Sequence, residues 1–378
     1  MIFNETALTG KLKNLLLNPP AILTDDEIFG HIAPYFSRAA EFLALADKFG
    51  TPLYVIDSAA IASRVSQFMN AFAGLAGMRI YYPVKTNSCP QVVREMINCG
   101  CGIEVSSGQE LAMVLGLGSQ DIIFNGPGKQ ADELRLAVKN HSCVRVLVDS
   151  FEELSLLGRL AGEAGCEVNI GVRVTSGPSW KKFGIPPSKL CEFIDCCDAF
   201  AGVRLEGIQF HTSWNMNPSA QVAFLSVLGD ELKKLSATHR NRIKFLDIGG
   251  GFWPEQGEWL TPEGTALGRV LKELAPELLA DDRRRFRIPA VPIEDFAGAI
   301  TTGLREYVFP YVECGIYAEP GRWLINSGMH ILIKVLDVKD GGNMVITCGG
   351  INAVGWERFE TDYCPVLNLS SPAPNRQY

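Results

Sequence analysis

The chain has 378 residues, 47% hydrophobic and 20% charged, and a formal net charge of -7. Its Lys and Arg are scattered, and the one basic run, Arg283-Arg284-Arg285, follows Asp281-Asp282, so nothing in the balance points to nucleic acid. No segment approaches the ~18 continuous apolar residues of a membrane span, and eleven cysteines without Cys-x2-Cys or His-rich spacing argue against a disulfide framework or a metal site, as in a reduced cytoplasmic protein.

In chain order, residues 1–50 read as an N-terminal extension, with Pro19-Pro20, two short helical patterns, and a helix over Ser37–Phe49 stopped by Gly50. Pro52–Ile56 is a short β-rich run. Asp57 or Ser58 caps the next helix, where Ile61, Val65, Phe68, Met69, Phe72 and Leu75 share one face. Eight strand candidates then alternate with helical stretches: Ile80–Val84, Gly102–Ser106, Ile122–Asn125, Val144–Asp149, Val168–Val174, Leu205–His211, Ile243–Ile248 and Gly315–Glu319. Eight such steps predict an α/β fold, a closed (β/α)8 TIM barrel over residues 58–322. The interval from Phe252 to Cys314 is longer than one helix needs and predicts an insertion, with a helix near Phe296–Tyr307. Beyond Arg322 the texture changes. His330–Val338 alternates, Gly341-Gly342 turns, and Met344–Cys348 follows, which predicts a β-hairpin. A β domain is therefore expected from residues 51–57 and 323–378, and its few strands read as a truncated C-terminus.

In such a barrel the reactive groups sit at the C-terminal strand ends. Those ends carry Lys85, Glu104 with Ser106-Ser107, Arg173, His211, Gly249-Gly250-Gly251 and Glu319-Pro320-Gly321-Arg322. Each has a plain alternative: a solvated lysine, a tight glycine turn, a satisfied core histidine, a Glu319–Arg322 pair. For Glu110 a helix-capping role is the better reading. Lys85 follows the apolar run Ile80-Tyr81-Tyr82, where desolvation favours the neutral amine and so nucleophilic chemistry. The glycines and Gly321-Arg322 suit a phosphate after the seventh and eighth strands. A lysine, a phosphate cradle, a flat-lying histidine and a carboxylate together describe a site for pyridoxal 5'-phosphate.

The motifs Tyr82-Pro83-Val84-Lys85-Thr86-Asn87, Gly102-Ile103-Glu104-Val105-Ser106-Ser107, Phe183-Gly184-Ile185, Phe210-His211, Asp247–Phe252 and Ala318-Glu319-Pro320-Gly321-Arg322 resemble the fold-type III pyridoxal-phosphate decarboxylases, the ornithine/diaminopimelate decarboxylase family. The resemblance runs from Thr51 to Asn352. It implies Lys85 as the Schiff-base lysine, His211 stacked on the cofactor ring and Glu319 at the pyridine nitrogen. Gly249, Gly250, Gly251, Gly321 and Arg322 would hold the phosphate, and Glu104 is the acidic residue near the lysine. It also implies an amino-acid substrate and a homodimer. Two departures stand out. His211-Thr212-Ser213-Trp214 lacks the usual Gly-Ser after the stacking histidine, and no equivalent of the family's late catalytic Cys motif precedes Tyr378. Arg358, in Gly355-Trp356-Glu357-Arg358, is either a reader of a distal carboxylate or half of a surface Glu-Arg pair. Its surroundings resemble branches of the family in siderophore and other natural-product pathways. Decarboxylation is the leading expectation. An amino-acid racemase and a non-catalytic homologue that binds a partner decarboxylase are the alternatives.

Overall fold

The structure, a computed structural model, describes residues 5–177, 182–279, 282–342, 344–354, 358 and 360–371. Two compact units emerge, one of Ile56–Glu255 with Val291–Gly328, the other of Met1–Val55, Gln256–Ala290 and Met329–Tyr378.

The first unit is a closed, all-parallel barrel. Its strands are β1 (Arg79–Pro83), β2 (Gly102–Val105), β3 (Ile122–Phe124), β4 (Val144–Val148), β5 (Val168–Arg173), β6 (Val203–Gln209), β7 (Phe245–Asp247) and β8 (Gly315–Ala318). The eight expected strands are these eight. Closure comes from β8, which pairs with β7 through Ile316↔Leu246 and with β1 through Tyr317↔Arg79. Helices cover the outside because their apolar stripes have only the barrel to bury against. The helix Ser58–Ala71 is typical: Asp57 caps it by accepting from the Ala60 N–H, and Ile61, Val65 and Phe68 are buried.

Inside the barrel, side chains form layers. Tyr81, Ile123, Leu147, Phe245 and Tyr317 pack as one apolar plug, with Phe245 and Tyr317 stacked at 4.7 Å. Strand side chains alternate, so the residue two positions on points inward again, one layer nearer the C-terminal mouth. That next layer is polar: Asn125, Asp149, Asp247 and Glu319 lie two residues beyond Ile123, Leu147, Phe245 and Tyr317, and all four are buried. The layer beneath fixes how high it stands. Gly207 is what makes room for Phe245, since a Cβ there would collide with that ring.

The second unit gathers three pieces of chain. Residues 1–50 contribute the helices Glu5–Leu17, Asp25–Phe36 and Ala39–Phe49. The insertion after β7 contributes Glu258–Leu260 and Phe286–Ile288, which form an antiparallel sheet with Ala21–Ile22. Around it Leu23, Ile28 and Trp259 make a small core. Leu53–Ile56 pairs with Met329–Leu332, so the N- and C-terminal pieces share a sheet. The alternating run 330–338 is not one strand, however. It changes partner at Ile333-Lys334, and Val335–Lys339 then forms the hairpin with Met344–Thr347. Alternation marks extended chain and carries no information about which neighbour it meets.

Gly207→Ala is expected to destabilise the protein by about 1–3 kcal/mol, the usual cost of overpacking a filled core. Gly298→Ala, in the helix Ile293–Gly303 with nothing near its Cβ position, should instead add about 0.5–1 kcal/mol. Denaturant unfolding of the two variants side by side checks both signs.

Candidate active site

The mouth of the barrel is built from the ends of its strands and the turns that follow. After β1 the chain makes one tight turn, Val84–Thr86, which carries Lys85. The Lys85 Nζ donates to Glu104 Oε2 at 2.9 Å and Oε1 at 3.1 Å. Glu104, on β2, is wholly buried and also accepts from the Ser106 hydroxyl at 3.1 Å. Burial opposes the Lys85 ammonium, but Glu104 and then Glu319 outweigh it and raise its pKa. The free protein therefore presents a paired ammonium at this position, where desolvation alone led us to expect an eased deprotonation. Next to it, Ser107 caps the helix Gly108–Gly116 and the Glu110 carboxylate accepts from the Ser106 N–H at 2.7 Å, so Glu110 serves the backbone.

His211 lies just past β6. Its Nδ1 accepts from the Gly250 N–H at 3.1 Å, which leaves the ring proton on Nε2, 3.1 Å from Ser213 Oγ. Burial, with Lys85 and Arg173 nearby, pushes its pKa down to about 3. The ring is thus a neutral, flat imidazole, and the 3.9 Å between Nδ1 and Glu319 Oε2 is no ion pair.

Glu319, past β8, is buried. Its Oε1 faces the amides of Asn125 at 3.3 Å and Gln209 at 3.5 Å. Asn125 in turn accepts from Arg173 Nη1 at 3.2 Å, and the Arg173 guanidinium lies 4.5 Å over the Phe183 ring. Burial, then the Asp247 and Glu104 carboxylates, hold Glu319 well above the ordinary carboxylate range. Asn125, Gln209 and Asp247 were not singled out as site residues from the sequence, and Arg173 was noticed only as a strand end. The signal was there: each is polar, in phase with the inward face, and at the end of its strand or one residue past it.

Gly249, Gly250 and Gly251 form the turn after β7, with φ of 67° at Gly249 and 82° at Gly251, a region closed to most side chains. A Cβ on Gly249, Gly250 or Gly251 would collide with the carbonyls of Phe210, Glu319 and Thr212 respectively, and one on Gly321 with Thr86 Oγ1. The turn is therefore pressed against the ends of β6 and β8. Arg322 behaves differently from a simple fork aimed at an anion. Its guanidinium lies 4.4 Å over Trp253 and 5.4 Å from the Trp214 ring, and the two indoles are 4.9 Å apart. Trp214 has a φ of 59°, a strain of about 1–2 kcal/mol for a non-glycine residue. An aromatic pair and a cation–π contact return about that much.

Lys85, Glu104, His211, Gly249, Gly250, Gly251, Glu319, Gly321 and Arg322 thus all belong to the barrel unit and to its C-terminal strand ends. Arg358 belongs to the other unit, where it pairs with Glu258 at 2.8 Å and Asp362 at 3.0 Å. The suggested Glu357 partner lies outside the described residues. Among the described residues no three His, Cys, Asp or Glu side chains group as metal ligands.

The family profile described as "Pyridoxal-dependent decarboxylase, pyridoxal binding domain" matches residues 58–326. The chain belongs to this family. Among its relatives, the diaminopimelate decarboxylase of Aquifex aeolicus is 27% identical over 339 residues, 84% of this chain and 70% of that protein. An L-glutamyl-[BtrI acyl-carrier protein] decarboxylase of Niallia circulans is 25% identical over 227 residues, 56% of this chain and 52% of that one. The solved diaminopimelate decarboxylase of M. jannaschii in complex with L-lysine superposes with a TM-score of 0.66 at 24% identity, covering 82% of this chain and 70% of that one, a likeness of fold.

The family's cofactor is pyridoxal phosphate, and the mouth fits it. The glycine turn packs its bare backbone between the ends of β6 and β8, Lys85 supplies an amine, and His211 a neutral face. Glu319 is a buried carboxyl with lone pairs to spare.

Glu104→Gln removes the anion that holds Lys85 charged. Burial then dominates, and the pH at which Lys85 is trapped by pyridoxal and borohydride should move down. Peptide mass spectrometry across a pH series reads this. An upward or absent shift would show that Glu104 does not control the amine.

Proposed function

We propose that this protein decarboxylates a small-molecule amino acid bearing a second acidic group, with Lys85, His211 and Glu319 as its catalytic residues. The observation that carries the reading is the meeting of Lys85–Glu104, a neutral His211 and a buried Glu319 at one barrel mouth. When bound, pyridoxal phosphate supplies an aldehyde that captures the substrate amine and a conjugated ring that accepts the electron pair left by CO2. Lys85 attaches the cofactor until the substrate amine displaces it, and Glu104 takes up or returns the proton on Nζ. His211, unable to accept a proton near neutrality, presents a flat uncharged face. Glu319 holds a proton at the ring nitrogen, and this acidic partner favours decarboxylation over racemisation. Gly249, Gly250, Gly251, Gly321 and Arg322 hold the phosphate, with Trp253 and Trp214 fixing the plane of the arginine.

An acidic substrate is supported by relatives named for diaminopimelate and for a glutamyl group on an acyl-carrier protein. Arg358 is engaged by Glu258 and Asp362, which favours the ion-pair reading of that residue. The reading includes a cytoplasmic homodimer without nucleic-acid or membrane partners. Among the described residues no helix is long and apolar enough to cross a membrane.

CO2 release from a panel of L- and D-amino acids and their acidic derivatives tests the proposal. Lys85→Ala should reduce release to background and abolish covalent cofactor attachment. Glu319→Gln should lower turnover by about 10²–10³-fold, the usual loss for one electrostatic contact made in the transition state. Cofactor attached at Lys85 with no CO2 from any substrate would favour a racemase or a non-catalytic homologue.

A further inference from the structure

The polar layer at the barrel mouth contains more acid than base. Lys85 and Glu104 satisfy each other. His211 is neutral, and Asn125 and Gln209 are amides. Asp149, the layer's remaining acid, lies near the buried Lys129–Glu153 pair. That leaves the Arg173 guanidinium near two carboxyl groups, Asp247 and Glu319, both wholly or almost wholly buried. The two lie at the ends of adjacent strands, held there by the Glu319 N–H, which donates to the Gly249 carbonyl at 2.8 Å. Asp247 Oδ1 accepts from the Gly249 N–H at 2.8 Å. Asp247 Oδ2 and Glu319 Oε2 are buried and receive nothing from the protein.

Two carboxylates buried on neighbouring strand ends repel each other, and a buried acceptor without a donor is costly. One proton between them removes both problems and balances the charge of Arg173. We infer that Asp247 and Glu319 share a single proton, and that Asp247 is a positioning residue which sets the charge Glu319 presents to the cofactor. The inference rests on Glu319 being the partner of the ring nitrogen. Burial raises the Asp247 pKa to about 7, and burial with the Asp247 charge holds Glu319 well above the ordinary carboxylate range. Both directions keep a proton in the pair at pH values where an exposed carboxyl has lost its own. The pair would supply this proton to the cofactor's ring nitrogen, the O–H bonding electrons staying on the carboxylate. Asp247, hydrogen-bonded to Gly249, also ties this proton to the turn that holds the phosphate.

Carboxyl ¹³C NMR of the cofactor-free protein, labelled at Asp and Glu, reads the proton directly. One carboxyl step well above the ordinary value of about 4 is expected. Asp247→Asn keeps an acceptor for Gly249 and a donor for Glu319 but carries no charge, so the high step should move down. The pH above which pyridoxal phosphate affinity falls, by up to about tenfold per unit for one linked proton, should move down with it. Affinity at mildly acidic pH should stay within a few fold of wild type. An ordinary titration of every carboxyl in the wild-type protein would overturn the inference, even if the variant fails to fold. An affinity profile unchanged by Asp247→Asn would also overturn it. Failure of the wild type to bind the cofactor through Lys85 would instead sink the functional reading.

Discussion

The site depends on one electrostatic constraint: the carboxylates of Glu104, Asp149, Asp247 and Glu319 are all buried toward the mouth of a closed barrel. Water cannot solvate them there, so each must be paired, protonated or hydrogen-bonded by its neighbours. Lys85 answers Glu104, and the buried Lys129–Glu153 pair lies near Asp149. Arg173 and the amides of Asn125 and Gln209 answer the remainder, and incompletely. This arrangement would be a liability in a protein that bound nothing. For a pyridine ring carrying a proton it is a prepared electrostatic partner, in place before the ligand arrives and needing no reorganisation.

The surrounding layers keep that arrangement rigid. Below it, the plug of Tyr81, Ile123, Leu147, Phe245 and Tyr317 fixes the height of the inward side chains. Beside it, the glycine turn is pressed between the ends of β6 and β8, and its Gly250 N–H sets the tautomer of His211. The loop through Trp214 is one of the two departures from the pattern that the resemblance implies. There a strained backbone and two indole rings pack against Arg322. The arginine gains a fixed plane and loses freedom, and this side of the mouth is aromatic.

Much of this was legible in the sequence, for identifiable reasons. Barrel strands buried on both faces read as short apolar runs, and all eight could be found from that texture. Lys85, His211, Glu319 and the glycines announce themselves because strand ends are where a barrel places its chemistry. The second unit was harder. Its sheets are two or three strands deep and drawn from three separated stretches, so the insertion's strands and their pairing with Ala21–Ile22 had no local signature. Arg358 shows the same limit: a lone arginine in a motif looks free until Glu258, a hundred residues away, is placed beside it.

By itself, then, the sequence determined the succession of strands and helices, the residue types at the strand ends and, through them, the cofactor chemistry. Period-two alternation and the conformational needs of glycine are local properties, readable one segment at a time. Only the tertiary structure decided which charges share the mouth. Closing β8 onto β1 and β7 brings Glu319 beside Asp247 and near Arg173, and that meeting gives Glu319 its raised pKa. The charge state of a buried group depends on everything within a few ångströms of it, and those neighbours come from six different strands.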